Sequence, residues 1–311
     1  MAIDRLINKI NNLQAPIVVG LDPQLNLIPD NIKERFFKYV GKNPTVTADM
    51  FKMFNGVIID NICDIVPCVK LQIAMYEMLG TPGIEAYIQT VEYAKQKGMI
   101  VIGDVKRGDI ALTATAYSRA HIGEVDIEGK KHEVFGTDFV TINPFMGYDT
   151  MAPFIEDCDL HDKGLFVLVK TSNPSSGDIQ DIVTKDNKPL YEHVGNLVQT
   201  WGKEAMGSQG FSKVGAVVGA TYANEAKTLR SLMPNTFFLV PGFGAQGATT
   251  KDIVPFFING GGAIVNSSRG ILGAYRQDKY KHFGEDGYGS AARAAALDMI
   301  KEITAVIHDH K

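Results

Sequence analysis

The sequence predicts a single-domain α/β protein, a (β/α)8 TIM barrel with insertions, spanning residues 1–311. Three observations carry this. Eight short apolar runs rich in branched residues recur along the chain, amphipathic stretches of helical period separate them, and nearly every run is followed at once by a residue capable of chemistry. Strand–helix alternation implies parallel pairing with right-handed crossovers, and eight units fit a closed barrel better than an open sheet.

Residues 1–14 mix charge and apolar side chains in a helical rhythm and lack the apolar core and cleavage site of a signal peptide. The first strand, 17–21, leads to Asp22, and the long interval 22–49 is expected to hold loop and an extra helix. The second, 68–71, contains Lys70 and leads to Gln72; the third, 100–103, leads to Asp104 and Lys106. Strands 139–142 and 165–169 precede Asn143 and Lys170 with Ser172. Strand 214–218 is followed by 237–240, ending at Pro241, and by 263–265, which runs on to Arg269. Helical patterns cover 84–96, 111–121, 189–205 and 223–232, while 121–138 and 173–188 read as polar insertions. A barrel brings every strand's C-terminal end to one face, where sites on this fold are built.

Composition narrows the function. Hydrophobic residues at 45% and charged residues at 21% suit a globular domain with a large core. A net charge of -4 is unlike a nucleic-acid-binding surface, so an anionic ligand needs a local site. Cys63, Cys68 and Cys158 are too few and scattered for a disulfide framework, and none has histidines at zinc-ligand spacing; reduced thiols in a cytoplasmic protein are expected. No run approaches the length of a membrane span. The seven histidines, His308 and His310 among them, read as surface or packing residues.

The densest chemistry lies in Asp104-Val105-Lys106-Arg107-Gly108-Asp109. Two residues apart on a continuing strand, Asp104 and Lys106 point to one side, and Asp109 stands where it would cap a helix beginning at Ile110. An ordinary ion pair plus a helix cap explains this run as well as catalysis does. Lys70 tips the balance, because a lysine at an apolar strand end is rarely buried without partners. Two lysines and two acids there hold an ammonium in a fixed, partly dry place, able to give a proton and to stabilise negative charge.

Late in the chain, Pro241-Gly242-Phe243-Gly244-Ala245-Gln246-Gly247 follows the seventh strand and Asn266-Ser267-Ser268-Arg269-Gly270 the eighth, the two positions from which such barrels commonly grip phosphate. The first loop also satisfies G-x-G-x-x-G, but a dinucleotide fold wants an acid about 20 residues on. No Asp or Glu occurs between Asp252 and Asp278. Arg269 offers a guanidinium whose fork suits phosphate.

Taken together, Asp-x-Lys-x-x-Asp followed by Ile110, the upstream Gly20-Leu21-Asp22-Pro23 and the Pro241/Gln246 and Arg269 loops resemble the orotidine 5'-monophosphate decarboxylase family. Val169-Lys170-Thr171-Ser172-Asn173-Pro174 and the run 215–221 are similar to its longer subclass. The resemblance implies a cofactor- and metal-free lyase that converts orotidine 5'-monophosphate to uridine 5'-monophosphate, the last step of de novo pyrimidine nucleotide biosynthesis. It assigns Asp22 and Lys70 to the ribose, Asp104 to a place against the substrate carboxylate, and Lys106 to proton delivery at C6. Asp109 and Thr113 would reach into a partner subunit's site, making an obligate homodimer. Ser172 would read the pyrimidine edge, Pro241 line the base pocket, and Gln246, Gly247 and Arg269 serve the phosphate; Gln72 stands where some relatives place another small amide.

Two other functions stay open on the residues. A metal-dependent phosphosugar decarboxylase or aldolase of the same barrel lineage would share the acid–lysine motif but not the Thr171-Ser172 segment with Gln246. A non-catalytic phosphate-ligand-binding barrel would not need two lysines and two acids at one place.

Overall fold

A computed structural model describes residues 1–244 and 247–308. In chain order the elements are α1 (Ala2–Leu13), β1 (Ile17–Gly20), α2 (Asp30–Val40), α3 (Pro44–Ile62), β2 (Cys68–Gln72), α4 (Ala74–Glu77), α5 (Thr81–Gln96) and β3 (Ile100–Arg107). Then come α6 (Ala111–His121), β4 (Val125–Ile127), β5 (Lys130–His132), β6 (Phe139–Ile142), α7 (Tyr148–His161), β7 (Gly164–Lys170), α8 (Gly177–Gln180) and α9 (Leu190–Trp201). β8 (Ser212–Val218), α10 (Ala223–Leu232), β9 (Thr236–Val240), α11 (Thr250–Ile253), β10 (Ala263–Ser267), α12 (Arg269–Leu272) and α13 (Tyr288–His308) complete the chain.

Eight parallel strands close in the order β1-β10-β9-β8-β7-β6-β3-β2, so the predicted barrel is the observed one and each predicted strand is a stave. The insertion at 121–138 holds the antiparallel hairpin β4–β5 outside the barrel. The long interval after β1 holds α2 and the start of α3. Asn43 caps α3 by accepting from Val46 N at 3.0 Å, with Pro44 in the first turn, and Phe51, Phe54, Ile58 and Ile59 bury its inner face. No helix among the described residues is long and apolar enough to cross a membrane. Cys63, Cys68 and Cys158 are unpaired.

Strand parity explains the layers. Val18, Cys68, Ile100, Ile102, Phe139, Phe166, Phe237 and Ile264 form one buried cluster with Ala2, Ile3, Leu6 and Ile7 of α1, which closes the N-terminal end of the barrel. Their neighbours Val19, Val69, Val101, Val140 and Val167 belong to the other cluster, against the surrounding helices. Each large side chain buried this way contributes roughly 1.5–3 kcal/mol.

Two local expectations change. Asp109 does not cap α6: the residue preceding that helix is Ile110, without a side-chain cap, and Asp109 Oδ1 accepts instead from the adjacent Ile110 N at 2.7 Å. The chain is still extended there, so the carboxylate reaches only the nearest amide. Nor does β3 stop at Gly103; it continues to Arg107 through a register shift in which the step from Gly103 to Arg107 faces only that from Val140 to Ile142 on β6. β3 therefore bulges, and Lys106 takes a left-handed backbone, φ 48°.

Candidate active site

Two residues beyond the apolar barrel layer, the same inward parity gives Gly20 after Val18, Lys70 after Cys68, Asp104 after Ile102, Thr141 after Phe139, Leu168 after Phe166 and Asn266 after Ile264. The polar members of this upper layer floor a cavity of about 820 Å³ at the C-terminal end of the strands, a volume that suits a mononucleotide-sized ligand. Leu168, Val217 and Leu239 supply its apolar wall.

Charge runs across the floor as a chain. Lys70 Nζ lies 2.7 Å from Asp104 Oδ2 and 3.5 Å from Asp22 Oδ1, while Lys106 Nζ lies 2.5 Å from Asp104 Oδ1. Burial alone would raise the Asp104 carboxyl, but the two ammonium groups outweigh it and hold this acid well below the usual carboxylate range. Burial likewise disfavours the Lys70 ammonium, and Asp104 with Asp22 reverses that, raising it above the ordinary lysine range. Lys70 is buried, whereas Lys106 is accessible from the cavity.

Thr141 completes the Asp104 environment. Its hydroxyl donates to Asp104 Oδ1 at 2.9 Å and accepts from Val105 N at 2.9 Å and Lys106 N at 3.0 Å. Asp22 is held as firmly: Oδ1 accepts from Gln72 N at 3.1 Å and Oδ2 from Ser268 Oγ at 2.7 Å.

Next to Asp22 around the rim, Pro241, Gly242 and Phe243 after β9 line the cavity together with Ser267, Ser268 and Arg269 at the end of β10. Gly242 and Gly244 have φ of 101° and 70°, values that favour glycine, so this loop turns as no side-chain-bearing segment readily would. Ser172 also lines the cavity, on a segment braced by Gln180, whose Oε1 accepts from Thr171 N at 3.0 Å and whose Nε2 donates to Thr171 Oγ1 at 2.8 Å. Lys170, a strand-end residue by sequence, is instead fully buried outside the cavity, 2.5 Å from Asp181 Oδ1 and 4.4 Å from the Tyr222 ring centre. It ties the 173–188 insertion to β7.

Of the residues singled out in the sequence, the cavity gathers Asp22, Lys70, Asp104, Lys106, Ser172, Pro241 and Arg269. Asp109, Thr113, Gln72 and Gly247 do not line it within one chain. Gln72 contributes its backbone N–H to Asp22, while its side chain accepts from Ala74 N at 3.4 Å. Thr113 is exposed on α6. Gln246 lies outside the described residues, as does His310; of the His308 side chain nothing is described. Sequence reading missed Thr141 and took Asn266 and Ser268 only as members of the loop leading to Arg269, with no role of their own. The signal was present: each extends the inward parity of its strand or the loop directly after it. Asn266 is buried with its Oδ1 unpartnered.

Comparison with known proteins gives a family match over most of the chain. Residues 18–281 match the profile of the family described as "Orotidine 5'-phosphate decarboxylase / HUMPS family". An orotidine 5'-phosphate decarboxylase of Clostridium perfringens is 41% identical over 308 residues, 99% of each chain, and one of Petrotoga mobilis is 42% identical over 304 residues, 97% of this chain and 98% of the other. The structure of an OMP decarboxylase from Leishmania donovani superposes with a TM-score of 0.73 at 26% identity, covering 99% of this chain and 98% of that one.

Proposed function

We propose, from the premise that this chain belongs to the orotidine 5'-phosphate decarboxylase family, that it converts orotidine 5'-monophosphate to uridine 5'-monophosphate and carbon dioxide, with Lys106 as the proton donor. The observation that carries this is the continuous Asp22–Lys70–Asp104–Lys106 chain, anchored in the barrel and ending in an accessible ammonium beside an apolar wall.

The chemistry follows from what the residues offer. When the C6–carboxylate bond breaks, its electron pair stays on C6 with little resonance relief, so stabilisation must come from preorganised charge in a water-poor place. Lys106 supplies it, transfers an N–H proton to C6, and regains one from solvent. Asp104, kept ionised by its two lysines, faces the departing carboxylate and aims Lys106. Asp22 and Lys70 meet the ribose, Ser172 the pyrimidine edge, Pro241 the base, and Arg269 with the 241–247 loop the phosphate. Phosphate binding far from C6 then contributes by fixing the substrate against the charge chain. The product serves the end of pyrimidine nucleotide synthesis.

A shared site in a homodimer is part of this reading. The loops after β2, β3 and β6 and the first turns of α6 and α7 display Met78, Ile110, Leu112, Phe145 and Tyr148, all more than half exposed. Ile110 and Leu112 alternate along the chain with Asp109 and Thr113, which lie outside the cavity of their own chain. A second copy that covers this apolar rim would receive both residues.

A metal-dependent sugar-phosphate reaction fits less well, because both Asp104 oxygens already accept from ammonium groups that a divalent ion would have to displace. The deciding experiment is a spectrophotometric assay of orotidine 5'-monophosphate loss with and without EDTA. Turnover unaffected by chelator is expected; loss of turnover on chelation favours the metal-dependent reaction, and nucleotide binding without turnover a non-catalytic barrel.

A further inference from the structure

We propose that Thr141 is a positioning residue for this decarboxylation, fixing both the hydrogen bonding of the Asp104 carboxylate and the posture of Lys106; the inference rests on the function proposed above. A threonine hydroxyl has one proton to give and two lone pairs to fill. Here Val105 N and Lys106 N occupy both lone pairs, so the only remaining direction for the proton is Asp104 Oδ1, 2.9 Å away. The hydroxyl is therefore an obligatory donor to the carboxylate, not a rotor that chooses among partners.

The two amides it holds are those of the β3 bulge. Between Gly103 and Arg107 the regular ladder to β6 is interrupted, and Thr141 lies in the two-residue step of β6 that faces this stretch. Its side chain replaces the missing ladder acceptors. With those amides pinned, Lys106 adopts a left-handed backbone that a lysine does not favour by itself, and its ammonium comes to 2.5 Å from Asp104 Oδ1 instead of following the strand's ordinary alternation. Thr141 is 1% exposed and lines the cavity floor, so no water readily substitutes for its hydroxyl. One buried group thus links the acid, the bulge and the proton donor.

The test uses the full chain and three substitutions, Thr141→Val, Thr141→Ser and Lys106→Ala, with kcat and KM for orotidine 5'-monophosphate and the Kd of uridine 5'-monophosphate measured for each. Valine keeps the shape and removes the hydroxyl. Since small misplacement of a reacting group costs up to about 100-fold, Thr141→Val is expected to lower kcat by about 10- to 100-fold while KM and the product Kd stay within about twofold, and serine to restore most of kcat. A valine variant with near-normal kcat overturns the proposal, as does one that loses kcat and product affinity together without rescue by serine. Should Thr141→Val show no cooperative unfolding transition, Thr141→Ala is read for the same split and near-normal kcat again overturns it. Absence of turnover in the unmodified protein is a different result: it removes the decarboxylase reading itself, and this inference with it.

Discussion

Ser268, just after the last barrel strand, donates to Asp22 Oδ2, just after the first, at 2.7 Å, joining the rim assigned to phosphate to the carboxylate assigned to ribose. Gly20 makes room for the contact. A β-carbon there would stand 1.8 Å from Ser268 Oγ, a distance no relaxed structure tolerates. Gly20→Ala should therefore displace Ser268 and loosen Asp22, destabilising the fold by about 1–3 kcal/mol and weakening nucleotide affinity. Urea unfolding and a product-binding titration check both parts; an alanine variant equal to the parent in both would show that the gap closes harmlessly.

Lys106→Ala removes the only member of the charge chain that is both accessible and cationic. Turnover should vanish while product affinity is largely retained, because the residues proposed to hold ribose and phosphate are untouched. Near-normal kcat in this variant would remove Lys106 as proton donor.

Arg269→Ala tests the proposed phosphate contact at the other end of the substrate. Here KM should rise by about tenfold or more, with kcat less affected, since the loss is of remote binding and not of proton transfer. An unchanged KM would undercut the phosphate assignment.

The proposed homodimer with shared sites makes a prediction about mixtures. Lys106→Ala and Asp109→Ala homodimers should each be nearly inactive, yet after unfolding together and refolding, a mixed dimer contains one site with Lys106 from one chain and Asp109 from the other. Statistical mixing returns about a quarter of the parental activity. If the mixture stays inactive while the parent refolds under the same conditions, Asp109 does not act across subunits.

His121 sets a pH dependence of stability unrelated to catalysis. It is buried against Phe135, ring centres 4.6 Å apart, and burial, with a contribution from Arg107, pushes its pKa down from 6.5 to about 3. The imidazole is neutral in the fold and takes a proton when the chain unfolds. Its contribution is therefore full above about pH 6.5 and is lost as pH falls toward about 3. Between pH 7 and pH 5 this residue alone should cost about 2 kcal/mol, read as the difference in urea-unfolding free energy between the parent and His121→Phe at the two pH values. Parallel pH slopes for the two proteins would refute it.

Several features were legible in the residues alone because they repeat or because they are local. The barrel strands announced themselves as buried runs of fixed length, and α6 and α10 were bounded as the periodicity of 111–121 and 223–232 requires. Asp22, Lys70, Asp104 and Arg269 stood out because a charged residue at an apolar strand end needs a reason to be there. Thr141 did not, since a threonine within a strand is unremarked in a single chain, and Asn266 and Ser268 are legible only as members of the loop before Arg269; their shared inward parity, once the register is known, sets all three in the upper layer of the barrel.

What the sequence determined by itself is the architecture and the chemical inventory: eight strands, one face where their ends gather, two lysines, two acids and a glycine-rich loop, all consequences of periodicity and residue type. The tertiary structure decided the pairing. It made Asp22, not Asp109, the second acid of the chain's own charge network, and it bent β3 so that Lys106 meets Asp104 through a bulge instead of simple alternation. The reason is physical: periodicity is a property of neighbours along the chain, whereas the partner of a buried charge and the register at a bulge depend on strands distant in sequence that meet only when the barrel closes.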